Sequence, residues 1–249
     1  RTSSPRVGAM WVWQINSNFP LPFRPVEISC QFDYNSRKTA GDVCLKVDNK
    51  LILCAAEERM EEARQLAESL GLRISEAAEA GQLCLRLDAD GLHLQQDNLS
   101  LLGDFSSMLP RLRPNALNGE MLVRAARIKG FEGVPTAIDA TAGMGEDALL
   151  LAAAGFRVTL CERNPVIAAL LRDTLERACE NPDLREIVGR MTLYSGDSIE
   201  LLRNLDRPPE VVLLDPMFPE RRKSGLIGWL QELKHSVSSA VFTDSVLMA

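Results

Sequence analysis

The stretch Val211-Val-Leu-Leu-Asp-Pro-Met-Phe-Pro219 decides the fold, because it joins an apolar run directly to an acid and a proline. A short apolar run bounded by a proline is typical of a strand that is buried on both faces of a parallel sheet. Upstream, Asp139-Ala-Thr-Ala-Gly-Met-Gly145 places a glycine turn after a second short apolar run. The two stretches predict two buried strands, each of which ends at an aspartate.

Strand and helix patterns alternate along the chain between these two stretches. The predicted strands cover residues 135–139, 157–162, 191–194 and 210–215, and the predicted helices cover residues 146–154, 165–179 and 198–205. Such alternation is typical of a parallel sheet with helices on both faces. The sequence therefore predicts an α/β fold with a Rossmann-like sheet, in which ligands bind outside the carboxyl ends of the strands.

The residues before this region predict a second, smaller unit. Apolar residues recur every three or four positions in 57–70, which predicts an amphipathic helix, and residues 83–95 alternate around a turn, which predicts a hairpin. Residues 1–49 contain several prolines that interrupt any long element. We therefore divide the chain into an extension of unknown structure (1–49), a small α+β domain (50–103) and a larger domain (104–249).

Composition excludes several classes of protein. A formal net charge of −6 argues against a generally basic nucleic-acid coat protein. The six cysteines form no C-x-x-C pair and only two histidines are present, so we expect no metal site and infer a reducing compartment. No apolar run reaches the ~18 residues that span a membrane. We expect a cytoplasmic protein without a membrane segment.

The glycine turn predicts a cofactor site at the carboxyl edge of the sheet. Gly143 and Gly145 allow a tight turn, but the third glycine of the dinucleotide fingerprint is absent. Glu146 and Asp147 at the start of the next helix disfavour a pyrophosphate. Two carboxylates suit a cationic ligand, such as the sulfonium and ammonium groups of S-adenosylmethionine.

Acids at the other strand ends extend this predicted site. An acid at the position of Glu162 can accept hydrogen bonds from both ribose hydroxyls of a cofactor. Such an acid occurs in proteins that bind NAD as well as in those that bind S-adenosylmethionine. Arg163 could pack over the adenine. The acid of Asp197-Ser198 could accept a hydrogen bond from the adenine amino group. The complete candidate cofactor site is Asp139, Gly143, Gly145, Glu146, Asp147, Glu162, Arg163, Asp197, Ser198 and Asp215.

The residues that follow the last strand predict the chemistry. A carboxylate (Asp215) and a proline-fixed carbonyl (Pro216) can accept both N–H bonds of a planar amino group, while an aromatic ring (Phe218) stacks on its plane. These three candidate catalytic residues, next to a site for a sulfonium, indicate methyl transfer to an exocyclic nitrogen of a base. The target base must be unpaired or swung out of its helix.

Two groups of basic residues are candidate contacts for RNA phosphates. One group lies in 104–130, where residues 119–128 are predicted to be helical, and the other follows the Asp-Pro-Met-Phe segment. A solvated surface is the alternative interpretation of both. The candidates are Arg111, Arg113, Arg124, Arg127, Lys129, Arg221, Arg222 and Lys223.

Three blocks of sequence resemble the bacterial ribosomal RNA small subunit methyltransferase J family. They are the blocks Asp139-Ala-Thr-Ala-Gly-Met-Gly-Glu-Asp147, Glu162-Arg-Asn-Pro-Val-Ile-Ala-Ala-Leu-Leu171 and Leu214-Asp-Pro-Met-Phe-Pro-Glu-Arg-Arg-Lys-Ser224. The resemblance implies transfer from S-adenosylmethionine to the N2 amine of one guanine in 16S rRNA, either naked or in the small ribosomal subunit. Residues 225–249 do not resemble the family, so we expect the sheet to be incomplete or replaced at its C-terminal end.

Three other functions remain open at this point. The chain could methylate another amine, such as adenine N6 or a protein glutamine. It could be a nicotinamide-dependent oxidoreductase, which would share the glycine turn and Glu162 but would not use the Asp-Pro-Met-Phe segment. It could also be a non-catalytic RNA-binding remnant. The sequence makes no prediction of the oligomeric state.

Overall fold

The computed structural model describes residues 11–14 and 51–215. The strands are β1 (Trp11–Gln14), β2 (Ile52–Ala55), β3 (Arg73–Ile74), β4 (Leu83–Asp88), β5 (Gly91–Gln96), β6 (Leu99–Leu102), β7 (Thr136–Asp139), β8 (Arg157–Glu162), β9 (Met191–Ser195) and β10 (Val211–Leu214). The α-helices are α1 (Met60–Leu70), α2 (Leu109–Leu112), α3 (Pro114–Gly119), α4 (Met121–Ala126), α5 (Glu146–Ala153), α6 (Pro165–Glu180), α7 (Arg185–Val188) and α8 (Ser198–Arg203).

The larger sheet has the strand order β1-β10-β7-β8-β9. Strands β10, β7, β8 and β9 are parallel, which confirms the predicted α/β fold and its four strands. The chain first adds strands on one side of β7 and then returns to place β10 on the other side. The strand order therefore reverses between β7 and β10, and the carboxyl ends of these two strands flank the point where such sheets bind their ligands.

The fifth strand of this sheet comes from the segment that we assigned to an extension. β1 runs antiparallel to β10, with Trp11 opposite Leu214 and Gln14 opposite Val211. Its sequence, Trp-Val-Trp-Gln, consists largely of aromatic and β-branched residues that favour strands, so a local signal was present. β1 covers the outer edge of β10, which would otherwise present unpaired backbone groups.

Residues 52–102 form the second sheet, with the order β3-β2-β4-β5-β6. The predicted helix and hairpin are both present, as α1 and as the β4–β5 pair. Helix α6 connects this sheet to the larger one, because its Val166 and Leu170 are buried in the same apolar cluster as Leu53 and Leu85. The division of the chain into domains at 50–103 and 104–249 stays a prediction.

The connecting segment differs from the helix predicted over 119–128. Helix α3 ends at Gly119 and α4 begins at Met121, because Glu120 between them is extended, with φ −61° and ψ 130°. Pro110 and Pro114 lie in the first turns of α2 and α3, where a missing N–H costs no hydrogen bond. The predicted helix is therefore present as α4 with shorter bounds, and α3 is a further short helix before it. Among the described helices, none combines the length and apolar character that a membrane crossing requires.

Gly145→Ala is expected to destabilise the protein more than Gly155→Ala. Both glycines have positive φ values, of 81° and 99°, which cost an alanine roughly 1–2 kcal/mol. A Cβ on Gly145 would also lie 2.8 Å from Leu171 Cδ1, whereas nothing lies within 4 Å of a Cβ on Gly155. Overpacking adds at least about 1 kcal/mol. Thermal unfolding of both variants measures the difference, and equal losses would contradict the packing argument.

Candidate functional site

The four strand-end acids lie along one edge of the larger sheet. Asp139 and Glu162 are the last residues of β7 and β8, Asp215 directly follows β10, and Asp197 is the second residue after β9. Asp139 and Glu162 are buried, with 2% and 6% of their surfaces exposed. Asp197 and Asp215 are half-buried. The topology thus brings together the acids that the sequence predicted for a single site.

Glu162 fastens the glycine turn to the end of β8. Its Oε2 accepts a hydrogen bond of 3.0 Å from the Gly143 amide, and its Oε1 accepts one of 2.8 Å from the Asn164 amide. The Ala142 amide donates to the Cys161 carbonyl at 3.0 Å. A carboxylate offers about four acceptor positions, so these bonds are compatible with the predicted contact to a ribose. That contact stays a prediction.

The two glycines of the turn serve different needs. Gly143 has a φ of 56° and donates its amide to Glu162. Gly145 directly precedes α5, and a Cβ there would meet Leu171, Leu160 and Phe105 of the apolar core. The absent side chain of Gly145 is therefore required by core packing, whereas the sequence interpretation had assigned it only to the turn beside a ligand.

Helix α5 begins with two acids at the same edge. Glu146 is exposed and Asp147 is half-buried. Burial raises the pKa of Asp147, and the Asp215 carboxylate raises it further, while Arg111 acts in the opposite direction. The carboxylates of Asp147 and Asp215 therefore repel each other across the point where the strand order reverses. Negative charge accumulates there, which suits a cationic ligand group.

Asp147→Asn is expected to raise the free energy of unfolding at neutral pH. Because the folded state raises the pKa of Asp147, folding disfavours its ionised form, and this cost develops as the pH rises from the ordinary aspartate pKa through the raised one. The gain should be small in acid and constant above the raised pKa. Thermal unfolding across this range measures it, with Asp183→Asn, at an exposed position, as the control. A variant less stable than the parent at neutral pH would contradict the expectation.

Arg163 and Asp197 form an ion pair between the ends of β8 and β9. Arg163 Nη1 lies 3.3 Å from Asp197 Oδ2, and Asp197 Oδ1 accepts a 2.8 Å hydrogen bond from the Ile199 amide. Asp197 is thus also the N-cap of α8, and Ser198 begins that helix in a buried position. The predicted adenine contacts are brought together, although Asp197 also has this structural role.

The basic residues of 104–130 are all exposed, but two of them, Arg111 and Arg127, lie towards opposite edges of the sheet. Arg111 binds Glu120 with two hydrogen bonds of 2.8 and 3.0 Å. The nearby charges of Asp147 and Glu146 also help to raise the pKa of Arg111, so this residue lies towards the start of α5. Arg127 donates to Asn118 and lines a cavity of about 200 Å³ together with Pro135. Because Pro135 directly precedes β7, this cavity lies at the opposite, amino edge of the sheet.

Several predicted site residues lie outside the described residues. They are Pro216, Phe218, Arg221, Arg222 and Lys223. Their roles stay predictions. Of the proposed amine-binding group, the structure describes Asp215 alone.

Thr141 is a residue of this edge that sequence reasoning missed. Its Oγ1 accepts a 2.9 Å hydrogen bond from the Asp215 amide, which joins the turn after β7 to the residue after β10. No local pattern marks this role, because the two residues are 74 positions apart. Only the sheet order brings them together.

One group of potential metal ligands in the described part of the chain lies on the second sheet. Ligand atoms of Asp88, Asp90 and His93 lie within 4.8 Å of one another. Asp88 Oδ1 lies 3.1 Å from His93 Nε2, and Arg86 Nε donates to Asp88 Oδ2 at 3.1 Å. These contacts belong to the β4–β5 hairpin and do not involve the strand-end acids.

The family model described as "Putative SAM-dependent methyltransferase" matches residues 65–236. The matched range includes the Asp-Pro-Met-Phe segment and runs past Ser224, where the resemblance had been expected to end. Among solved structures, a SAM-dependent methyltransferase from Neisseria gonorrhoeae is similar at 28% identity with a TM-score of 0.52, covering 61% of this chain and 62% of that one. This similarity agrees with the Rossmann-like sheet.

Two curated relatives carry a more specific name. Ribosomal RNA small subunit methyltransferase J from Pseudomonas syringae pv. tomato is 40% identical, over 69% of this chain and 65% of that protein. The protein of the same name from Thioalkalivibrio sulfidiphilus is 41% identical, over 70% of this chain and 71% of that protein. The chain thus spans about two thirds of the length of these relatives. Together with the strand-end acids at one edge of a parallel sheet, these similarities show that the chain belongs to the ribosomal RNA small subunit methyltransferase J family of SAM-dependent methyltransferases.

Proposed function

We propose that this chain transfers a methyl group from S-adenosylmethionine to the exocyclic N2 amine of a guanine in 16S rRNA. The observation that carries the proposal is the row of acids at the carboxyl ends of β7, β8, β9 and β10, where Glu162 also binds the amide of the glycine turn. The names of the relatives support rRNA of the small subunit as the substrate. The proposal includes a cytoplasmic location, which such a substrate favours.

The residues at this edge fit the proposed cofactor. The candidate contacts are Asp139, Gly143, Gly145, Glu146, Asp147, Glu162, Arg163, Asp197, Ser198 and Asp215. Glu162 and Asp197 supply acceptors for hydroxyl and amino groups, and Asp147 lies in negative surroundings that suit a positive charge. Bound S-adenosylmethionine would supply an activated methyl group, so the protein's main task is to position the amine.

The protein residues are proposed to hold and orient that amine. The carboxylate of Asp215 and the carbonyl of Pro216 accept its two N–H bonds, which favours a pyramidal nitrogen whose lone pair points out of the base plane. Phe218 stacks on the base and fixes that plane. Such positioning contributes on the order of 7–11 kcal/mol to a reaction between two bound partners. Among the basic residues of 104–130, Arg111 lies towards the carboxyl edge and is the candidate that holds a flanking phosphate there, together with Arg221, Arg222 and Lys223 after the Asp-Pro-Met-Phe segment.

A methyl-transfer assay tests the proposal. Small ribosomal subunits from cells that lack the corresponding activity are incubated with labelled S-adenosylmethionine and this chain, and the modified nucleotide is mapped by mass spectrometry. We expect one methyl group on the N2 of a single guanine. Label on adenine N6, or on a protein glutamine, would show that this amine is the substrate and that guanine N2 is not.

Calorimetry separates the remaining alternatives. The chain is expected to bind S-adenosylhomocysteine and not NAD, since acids begin α5 where a pyrophosphate would lie. Binding of NAD instead would favour an oxidoreductase. Binding of S-adenosylhomocysteine with no methyl transfer to naked RNA or to subunits would favour a non-catalytic RNA-binding protein.

A further inference from the structure

Two hydrogen bonds join the turn after β7 to the end of β10, and a third holds the turn itself. The Ala140 amide donates to the Leu213 carbonyl at 2.9 Å, and the Asp215 amide donates to Thr141 Oγ1 at 2.9 Å. Within the turn, the Thr141 amide donates to Asp139 Oδ1 at 3.1 Å. Two of these bonds cross directly between the strands that flank the point of strand reversal.

The Asp215 amide lies beyond both ladders that hold β10. Pairing with β7 ends at Leu213 opposite Asp139, and pairing with β1 ends at Leu214 opposite Trp11. The Thr141 hydroxyl therefore takes the place of the next strand partner. It provides the acceptor that keeps Asp215 aligned where the regular sheet stops.

We propose that Thr141 is a positioning residue, which fixes Asp215 relative to the cofactor turn through a side-chain bond to the Asp215 amide. This inference rests on the proposed function, in which Asp215 binds the target amine. Threonine suits the task because its branched Cβ restricts χ1 and so fixes the direction of the hydroxyl. A small displacement of a catalytic group by a change elsewhere can cost about 100-fold in rate.

Thr141→Val and Thr141→Ser separate the hydroxyl from the size of the side chain. With saturating cofactor, Thr141→Val is expected to lower kcat about 10- to 100-fold, while the affinity for S-adenosylhomocysteine stays within about twofold. Thr141→Ser keeps the acceptor and should restore most of the rate. Full kcat in Thr141→Val would overturn the inference, as would a Thr141→Ser variant as slow as Thr141→Val.

Thr136→Val is the matched control. Thr136 is the first residue of β7, at the amino edge of the sheet. Its Oγ1 donates to the buried Glu210 carboxylate at 2.6 Å. Loss of this hydrogen bond in Thr136→Val is expected to lower thermal stability and leave kcat unchanged. If both valine variants lost rate in proportion to stability, the role of Thr141 would be only structural and the inference would fail.

Amide hydrogen exchange at Asp215 tests the inference without any assay of activity. Thr141→Val should speed exchange of this amide at least about tenfold, whereas Thr141→Ser and Thr136→Val should not. Unchanged exchange in Thr141→Val would overturn the inference even if the enzyme were active. Conversely, a parent chain without methyl transfer would refute the proposed function, while the exchange data would still decide whether Thr141 holds Asp215.

Discussion

Asp215→Asn is expected to reduce the rate of methyl transfer at least about 100-fold, because the variant replaces the proposed amine-binding carboxylate by a neutral amide. The fold should remain, since the bond from the backbone amide of residue 215 to Thr141 does not require the carboxylate. The Asp215 carboxylate helps to raise the pKa of Asp147, so removal of its charge also removes a repulsion between the two side chains. Stability should therefore not fall.

The measurement is single-turnover methyl transfer at saturating cofactor, with thermal unfolding of the same samples. Asp206→Asn is the control, because Asp206 is exposed in the segment before β10. It should match the parent in rate and stability. A normal rate in Asp215→Asn would remove the proposed role of this carboxylate and would leave the amine without a described partner.

Glu162→Gln is expected to weaken both the fold and cofactor binding. The buried carboxylate accepts from the amides of Gly143 and Asn164, and a glutamine would present an NH₂ group to one of these donors. An unsatisfied buried donor costs about 1–3 kcal/mol of folding free energy. If Glu162 binds the ribose as proposed, loss of this charged acceptor should lower the affinity for S-adenosylhomocysteine at least about tenfold.

Urea unfolding and calorimetry measure these two effects separately. Glu200→Gln is a suitable control, because Glu200 is exposed on α8, which begins directly after the N-cap Asp197. It should change neither quantity. Unchanged stability in Glu162→Gln would show that the glycine turn does not depend on this carboxylate, and unchanged affinity would place the ribose elsewhere.

The sequence predicted the four parallel strands well because each carries a local signal. The apolar run of β10 and the acids that follow β8 and β9 can be recognised within a few residues. The clustering of the strand-end acids could be predicted for the same reason, since parallel strands bring their carboxyl ends to one edge. The acids Asp139, Glu162, Asp197 and Asp215 follow from that rule without knowledge of any contact.

Long-range contacts could not be predicted in this way. The bond between Thr141 and Asp215 depends on β7 and β10 being neighbours, which the order of elements along the chain does not state. The same holds for Gly145, whose neighbours Leu171 and Phe105 come from distant segments. The start of α4 could be predicted only to within two residues, because the extended Glu120 before it has its partner, Arg111, in another helix.

The interpretation of the basic residues changes most with the structure. Read along the chain, Arg111 and Arg127 belong to one basic segment. In three dimensions Arg111 lies towards α5 and its acids, whereas Arg127 lines a cavity near Pro135 at the amino edge. Basic residues that are close in the sequence therefore do not all share one surface when the chain folds around the sheet.

The most direct test of the account is a crystal structure of the chain with S-adenosylhomocysteine. We expect the adenosine beside Glu162 and Asp197, and the sulfur near Asp147 and Asp215 at the carboxyl edge of β7 and β10. Binding of the ligand elsewhere, for example in the cavity lined by Arg127 and Phe156, would contradict it.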